Sequence, residues 1–240
     1  MLHFGVVVLP GKKGLKLVRE NYAIINKRSS LFSEKKYELM KNEGWFDPNQ
    51  EVVVNGKKVK IYEDEKGQFY TDEWCIEHQK ECLQNFDLHI NFFASLSKEK
   101  FKKETDSFIN KFPMFEEVSN LNEYNGKSGY YVMILDEYCQ IYTGTSGNIM
   151  KRIREHWSQS KQFDRLLYPM GAVERSIMSI DSYRALDTSR IFAYDTEYTF
   201  EREDEFISYF SPEFCTNRTA GGRIEGGLIN IINMVKEKNL

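Results

Sequence analysis

The stretch GYYVMILDEYCQIYTGTSGNIMKRIREHW, residues 129–157, organises the carboxy-terminal half of the chain. Residues 130–135 form an apolar run of strand length, Asp136-Glu137 makes a turn, and residues 139–143 return as a second, antiparallel strand. Gly144 permits a tight exit into a loop, and residues 149–157 read as a helix carrying basic side chains. Tyr131 and Tyr142 then lie on the two strands of a hairpin, while Arg152 and His156, four apart, share one helix face. Two phenols, a guanidinium and an imidazole converge beside the hairpin. Arginine binds phosphate, histidine moves protons, and tyrosine donates or accepts one.

Outward from this stretch, residues 190–194 read as a third strand and residues 203–210 as a helix stopped by Pro212. Gly221-Gly222 and Gly226-Gly227 mark loops before a final helix at 228–238. The resulting order is β-β-α-β-α-α. The amino-terminal half reads as mixed α and β. Residues 3–9 suggest a buried strand and residues 15 to about 39 a helical stretch. Asn55-Gly56 sits between two strand-like runs at 52–54 and 59–62, a hairpin pattern, and Gly67, Phe69 and Tyr70 continue that small sheet. Thr71 or Asp72 opens a helix, and a second helix covers 98–112. The polar segment 120–127 marks a boundary, giving domains at 1–120 and 121–240. The fold class expected is α+β.

The hairpin tripeptides Gly129-Tyr130-Tyr131 and Tyr142-Thr143-Gly144, followed by Arg152-x3-His156, then Glu203 on a later helix and Asn217, resemble the core of the GIY-YIG nuclease superfamily. The resemblance covers about residues 128–222. Thr143 stands where the family has Ile or Val, a packing position. The resemblance implies an antiparallel three-stranded sheet flanked by helices, and metal-dependent hydrolysis of DNA phosphodiester bonds. It makes Tyr131, Tyr142, Arg152, His156, Glu203 and Asn217 the catalytic set. Glu203 would hold one Mg²⁺ or Mn²⁺, with Glu205 as second choice. Helix phase favours Glu203, which shares a face with Phe206, Ile207 and Phe210; Glu205 stands at the family's interval from Asn217. Tyr131 would act as base towards water, poised by the metal or by His156, with the tyrosine and histidine roles interchangeable. Arg152 would stabilise phosphoryl charge, Tyr142 would bond a phosphate oxygen, and Asn217 would fix the acid-bearing helix. The alternative is a GIY-YIG-fold nucleic-acid-binding module that no longer cuts.

The chain of 240 residues has a formal net charge of -3, which gives no global electrostatic reason to bind nucleic acid. A local basic excess supplied by Lys151, Arg154, Lys161, Arg165 and Arg175 is the expected DNA-facing surface. With 17 Phe, 14 Tyr and 3 Trp the chain has ample core material, so disorder is excluded. No apolar stretch reaches the roughly 20 residues of a membrane span, the start reads as a strand and not as a signal peptide, and 4 Cys suggest no disulfide framework, so a cytoplasmic protein is expected. Cys75-x2-His78-x3-Cys82 supplies three zinc-type ligands, but offsets of three and seven also define one buried helix face.

Overall fold

The structure is a computed structural model that describes residues 1–25, 51–54, 57–60, 72–159, 161, 163–167, 173–174, 176–197 and 201–217. The expected glycine loops and helix beyond residue 217, Gly67 to Tyr70, and the turn Asn55-Gly56 lie outside these residues, as does Arg175. The protein is mixed α and β, with antiparallel sheets.

Every residue of GYYVMIL is buried, because apolar side chains on both faces suit a strand covered on both sides. This strand, β6 (Gly129–Leu135), is central in a four-stranded antiparallel sheet. Its partners are β7 (Gln140–Ser146), β8 (Arg190–Asp195) and, beyond β8, the short β5 (Glu116–Glu117). The expected three strands are therefore joined by a fourth. Glycine at 129 is dictated by φ +146° and by the Tyr194 carbonyl, on which any Cβ would collide. A one-turn helix at Asp136–Tyr138 and Cys139 in the left-handed region (φ 50°) close the β6–β7 hairpin.

The pleat sends neighbouring tyrosines to opposite faces. Tyr130 points to an aromatic cluster with Phe206, 5.1 Å between ring centres, while Tyr131 points to His156. The cluster is completed by Phe108 and Phe112 of helix α3 (Lys98–Lys111, with its C-cap) and by Phe115. The other face is covered by α4 (Ile149–Ser158), which buries Ile149, Ile153, His156 and Trp157 and is capped by the Asn148 side chain. A short helix, α5 (Glu203–Ser208), buries Phe206 and leads to Pro212.

The amino-terminal apolar run is not one strand. Phe4 and Gly5 adopt positive φ and fold it into a hairpin of β1 (Leu2–His3) and β2 (Val6–Val7). The expected helix from Leu15 shrinks, within the described residues, to one turn, α1 (Arg19–Tyr22). The 52–62 hairpin is present as β3 (Glu51–Val54) and β4 (Lys57–Lys60), antiparallel. Helix α2 (Asp72–Ala94) buries Cys75, His78, Cys82, Asn85, Phe86 and His89 on one side. One core runs across residue 120: β5 pairs with β8, His3 and Phe4 pack on Trp157, and Leu17 N donates to Asp187 Oδ2 at 2.9 Å. Asp187 also accepts from Arg184 N at 2.7 Å and Tyr138 Oη at 2.9 Å, so one buried carboxylate ties three segments together.

Strand β7 is an edge, and its outward backbone groups are satisfied at Ile141 and Thr143. Thr216 N donates to the Ile141 carbonyl at 2.8 Å. Asn217 takes both groups of Thr143: Oδ1 accepts from Thr143 N at 3.0 Å, and Nδ2 donates to Thr143 O at 2.7 Å. No helix among the described residues is long and apolar enough to cross a membrane.

Candidate active site

Tyr131 and Gly144 are direct partners across the β6–β7 ladder. Gly144 lies inside β7 with no unusual φ, so its role is not to turn the chain. It is small because the Tyr131 phenol lies over it: a Cβ here would sit 2.5 Å from Tyr131 Oη. The open space at residue 144 lets the ring lean back towards α4.

There Tyr131 Oη donates to His156 Nε2 at 2.8 Å. His156 Nδ1–H donates in turn to Asp181 Oδ1 at 2.7 Å. Because the carboxylate accepts only, the ring proton belongs on Nδ1, and Nε2 is left as the acceptor. Burial lowers the His156 pKa, and the Asp181 hydrogen bond offsets this only in part. Burial also works to raise Asp181, but its bond to His156 and the charges of Lys161 and Arg152 win and leave it lowered. At neutral pH the pair is a neutral imidazole on a carboxylate. Tyr131 is 0% exposed, and burial holds its phenol far above the ordinary value, with Arg152 pulling the other way.

Tyr142 stands in front of this chain. Its ring meets His156 edge-on at 5.0 Å and Tyr131 at 6.2 Å. Burial pushes its phenol up to about 12, opposed chiefly by the Arg152 charge. Arg152, with a side chain 40% exposed, bonds Glu155 at 3.3 Å and is the cation felt by Tyr131, Tyr142, Asp181 and Glu203. Glu203 is half-buried. Burial, then the neighbouring Asp204, raises its pKa, against the pull of Arg152 and the Thr145 N–H. Glu205 faces away, exposed, in a two-bond pair with Arg202 at 2.7 and 3.2 Å.

The structure thus gathers Tyr131, Tyr142, Arg152, His156 and Glu203. Asn217 stays at the β7 edge, bound to the backbone next to Tyr142. Lys151, Arg154 and Arg165 are exposed, and Lys161 approaches Asp181 Oδ2 at 3.9 Å. Asp181 is the residue the sequence reading missed. It sits in a one-turn helix, Ile180–Ser182, in a stretch without strand or helix periodicity. Its only signal is a lone acid among small and apolar neighbours.

Glu203 is a hard oxygen donor, and among the described residues no three His, Cys, Asp or Glu gather as a metal cluster. Its single carboxylate is of the chemical type that Mg²⁺ takes alongside retained waters. Cys75, His78 and Cys82, the zinc-type ligands on α2, lie on the buried helix face that their spacing also describes. His78 Nε2–H donates to the Phe163 carbonyl at 2.9 Å, and all three residues are buried as a packed helix face. All four cysteines are free thiols. No family model, no curated protein and no solved structure matches the chain.

Proposed function

We propose that residues 121–240 form a GIY-YIG-like domain and that the protein is a metal-dependent endonuclease hydrolysing DNA phosphodiester bonds. The observation that carries this reading is the hydrogen-bonded line Asp181, His156 and Tyr131, with the Tyr142 ring packed against its end beside a cation and an acid, Arg152 and Glu203.

A phosphodiester repels nucleophiles, so its site must neutralise charge and take a proton from water. Arg152 supplies a partly exposed guanidinium for the phosphoryl oxygens. Buried Tyr131 does not meet bulk water, whereas Tyr142 is only partly covered. The base is therefore read as a relay. Tyr142 takes the water proton while passing its own to Tyr131, Tyr131 passes its proton to His156 Nε2, and the imidazolium is held by Asp181. The oxygen of that water forms a bond to phosphorus as the bond to the leaving sugar oxygen breaks, and solvent protonates the leaving group. Glu203 would hold the divalent cation, which when bound would offset charge on the phosphate. Asn217 keeps the Tyr142 strand in register, and Lys151, Arg154, Lys161 and Arg165 offer charge for flanking phosphates.

The test is incubation with supercoiled and branched DNA in Mg²⁺, Mn²⁺ or EDTA. Nicking that needs the metal and falls at least about 100-fold in Arg152→Ala is expected, the scale of losing one transition-state charge donor. Wild-type rates in that variant would sink the assignment. DNA binding without any cleavage by the wild-type protein would favour the non-cutting module.

A further inference from the structure

Helix α4 has two chemically different sides. Arg152 and His156 look towards the site just described. Lys151, Arg154 and Ser158, at offsets of three and seven, look the other way into a cleft of about 1050 Å³. The opposite wall is the loop Gly11-Lys12-Lys13-Gly14, which follows the β1–β2 hairpin. Lys161 lies at one end, within reach of both the cleft and Asp181.

We infer that this cleft is the seat of a phosphodiester strand, gripped between Lys12 and Lys13 of the amino-terminal loop and Lys151, Arg154 and Lys161 beside α4. The inference rests on the nuclease reading for the identity of the strand, and on its own observations for the site.

Among the described residues, five cations line the cleft against the carboxylate of Glu155, which is bonded to Arg152, with Asp181 3.9 Å from Lys161 at its end. A sixth cation, Arg184, is buried there, and its guanidinium is spent on the backbone carbonyls of Trp157, Gln159, Asp181 and Ser182. Its charge therefore stays while its donors are used. This concentration of like charge stands in a chain of net charge -3, so it is local and directed. Lys13 shows the consequence. Burial, then the charge of Arg184, pushes its ammonium down to about 8, although Nζ donates to the Tyr22 carbonyl at 3.2 Å. A phosphate oxygen placed there would relieve both penalties. The floor is apolar, with Met150 and Trp157, as a surface under sugars and bases can be. The β1–β2 hairpin that leads into the loop packs on α4 through the stacking of Phe4 on Trp157.

The experiment is fluorescence anisotropy with a labelled 20-base-pair DNA in EDTA, so that cleavage plays no part. Five phosphate contacts predict a slope of log K against log salt near -4.5. Lys12→Ala/Lys13→Ala should flatten it by about 1.8 and weaken binding roughly 60-fold at 0.1 M salt. Lys151→Ala/Arg154→Ala, with both side chains exposed, should do the same without touching the loop. Lys102→Ala/Lys103→Ala on α3 should change affinity by no more than about twofold. Unchanged affinity and slope in both cleft variants would overturn the inference even if the protein nicks DNA. Cleft-dependent binding with no nicking would uphold it and overturn the hydrolytic reading instead. Cleft-dependent binding of ATP or pyrophosphate with no binding of the duplex would overturn the strand reading.

Discussion

Gly144→Ala adds one methyl group, and the structure says where it must go. The new carbon would lie 2.5 Å from Tyr131 Oη and 2.6 Å from its Cζ, where ordinary contacts begin near 3.4 Å. About 1 Å of movement is needed. The ring is fully buried and flanked by Tyr142 and His156, so it has no free volume to enter. Overpacking of this kind costs about 1–3 kcal/mol, and stretching the bond to His156 costs about 1 kcal/mol more. For a chain of this size that lowers the melting temperature by roughly 5–15 °C. Nicking, measured well below that melting point, should fall about 100-fold, the scale of a 1 Å misplacement in a reacting constellation. Gly147→Ala is the control, since a Cβ there meets nothing within 4 Å. A Gly144→Ala protein with wild-type melting and wild-type nicking would refute the claim that this glycine exists to seat Tyr131.

Because burial sets the His156 pKa below 6.5 in the folded protein, the unfolded chain takes that proton first as pH falls. The stability that neutral His156 contributes is full above pH 6.5 and is lost as pH drops towards the folded pKa; the nicking rate should fall over the same acid limb, and a rate unchanged down to pH 5 would contradict the relay. Asp181→Asn lets an amide donate to Nδ1 and move the ring proton to Nε2, so nicking should drop by about 10² or more at every pH while melting changes little; a retained rate would remove Asp181 from the chain. Glu203→Gln should abolish metal-dependent nicking and Glu205→Gln should keep most of it; the reverse in a plasmid assay would make Glu205 the ligand. Thr143 Oγ1 is buried with no partner among the described residues, so Thr143→Val should be neutral or raise stability by about 1 kcal/mol in urea unfolding, and a loss of more than that would mean the hydroxyl is bonded.

The hairpin and helix read from residues 129–157 are present in the structure, with β7 running on through Gly144 to Ser146 where a loop was expected, because most of what is decisive there is local. The apolar run, the turn acids and the spacing of Arg152 and His156 each report on neighbours within a few residues. The same logic chose Glu203 over Glu205, and the inward, half-buried position of Glu203 follows the phase of Phe206. Asp181 was illegible because its partner is 25 residues away in sequence and the intervening chain keeps no period. Residues 3–9 misled because composition cannot show a turn at Phe4, where positive φ is rare for an aromatic residue. The polar run at 120–127, read as a domain boundary, carries contacts its composition does not show: Leu121 and Tyr124 are buried and Leu121 N donates to the Phe4 carbonyl at 2.8 Å. Local polarity carries no information on such distant pairings.

The free side of β7 would, if left bare, invite a strand from another molecule. Residues 141 and 143 spend their outward groups on different devices: a passing segment and an amide side chain. A single substitution, Asn217→Ala, would leave both backbone groups of Thr143 open in the middle of that row. The fault would show first as self-association, growing with concentration and heating, before any change in the remaining core. Asn217 thus covers the edge of the strand that carries Tyr142 at a residue where both backbone groups would otherwise face outward.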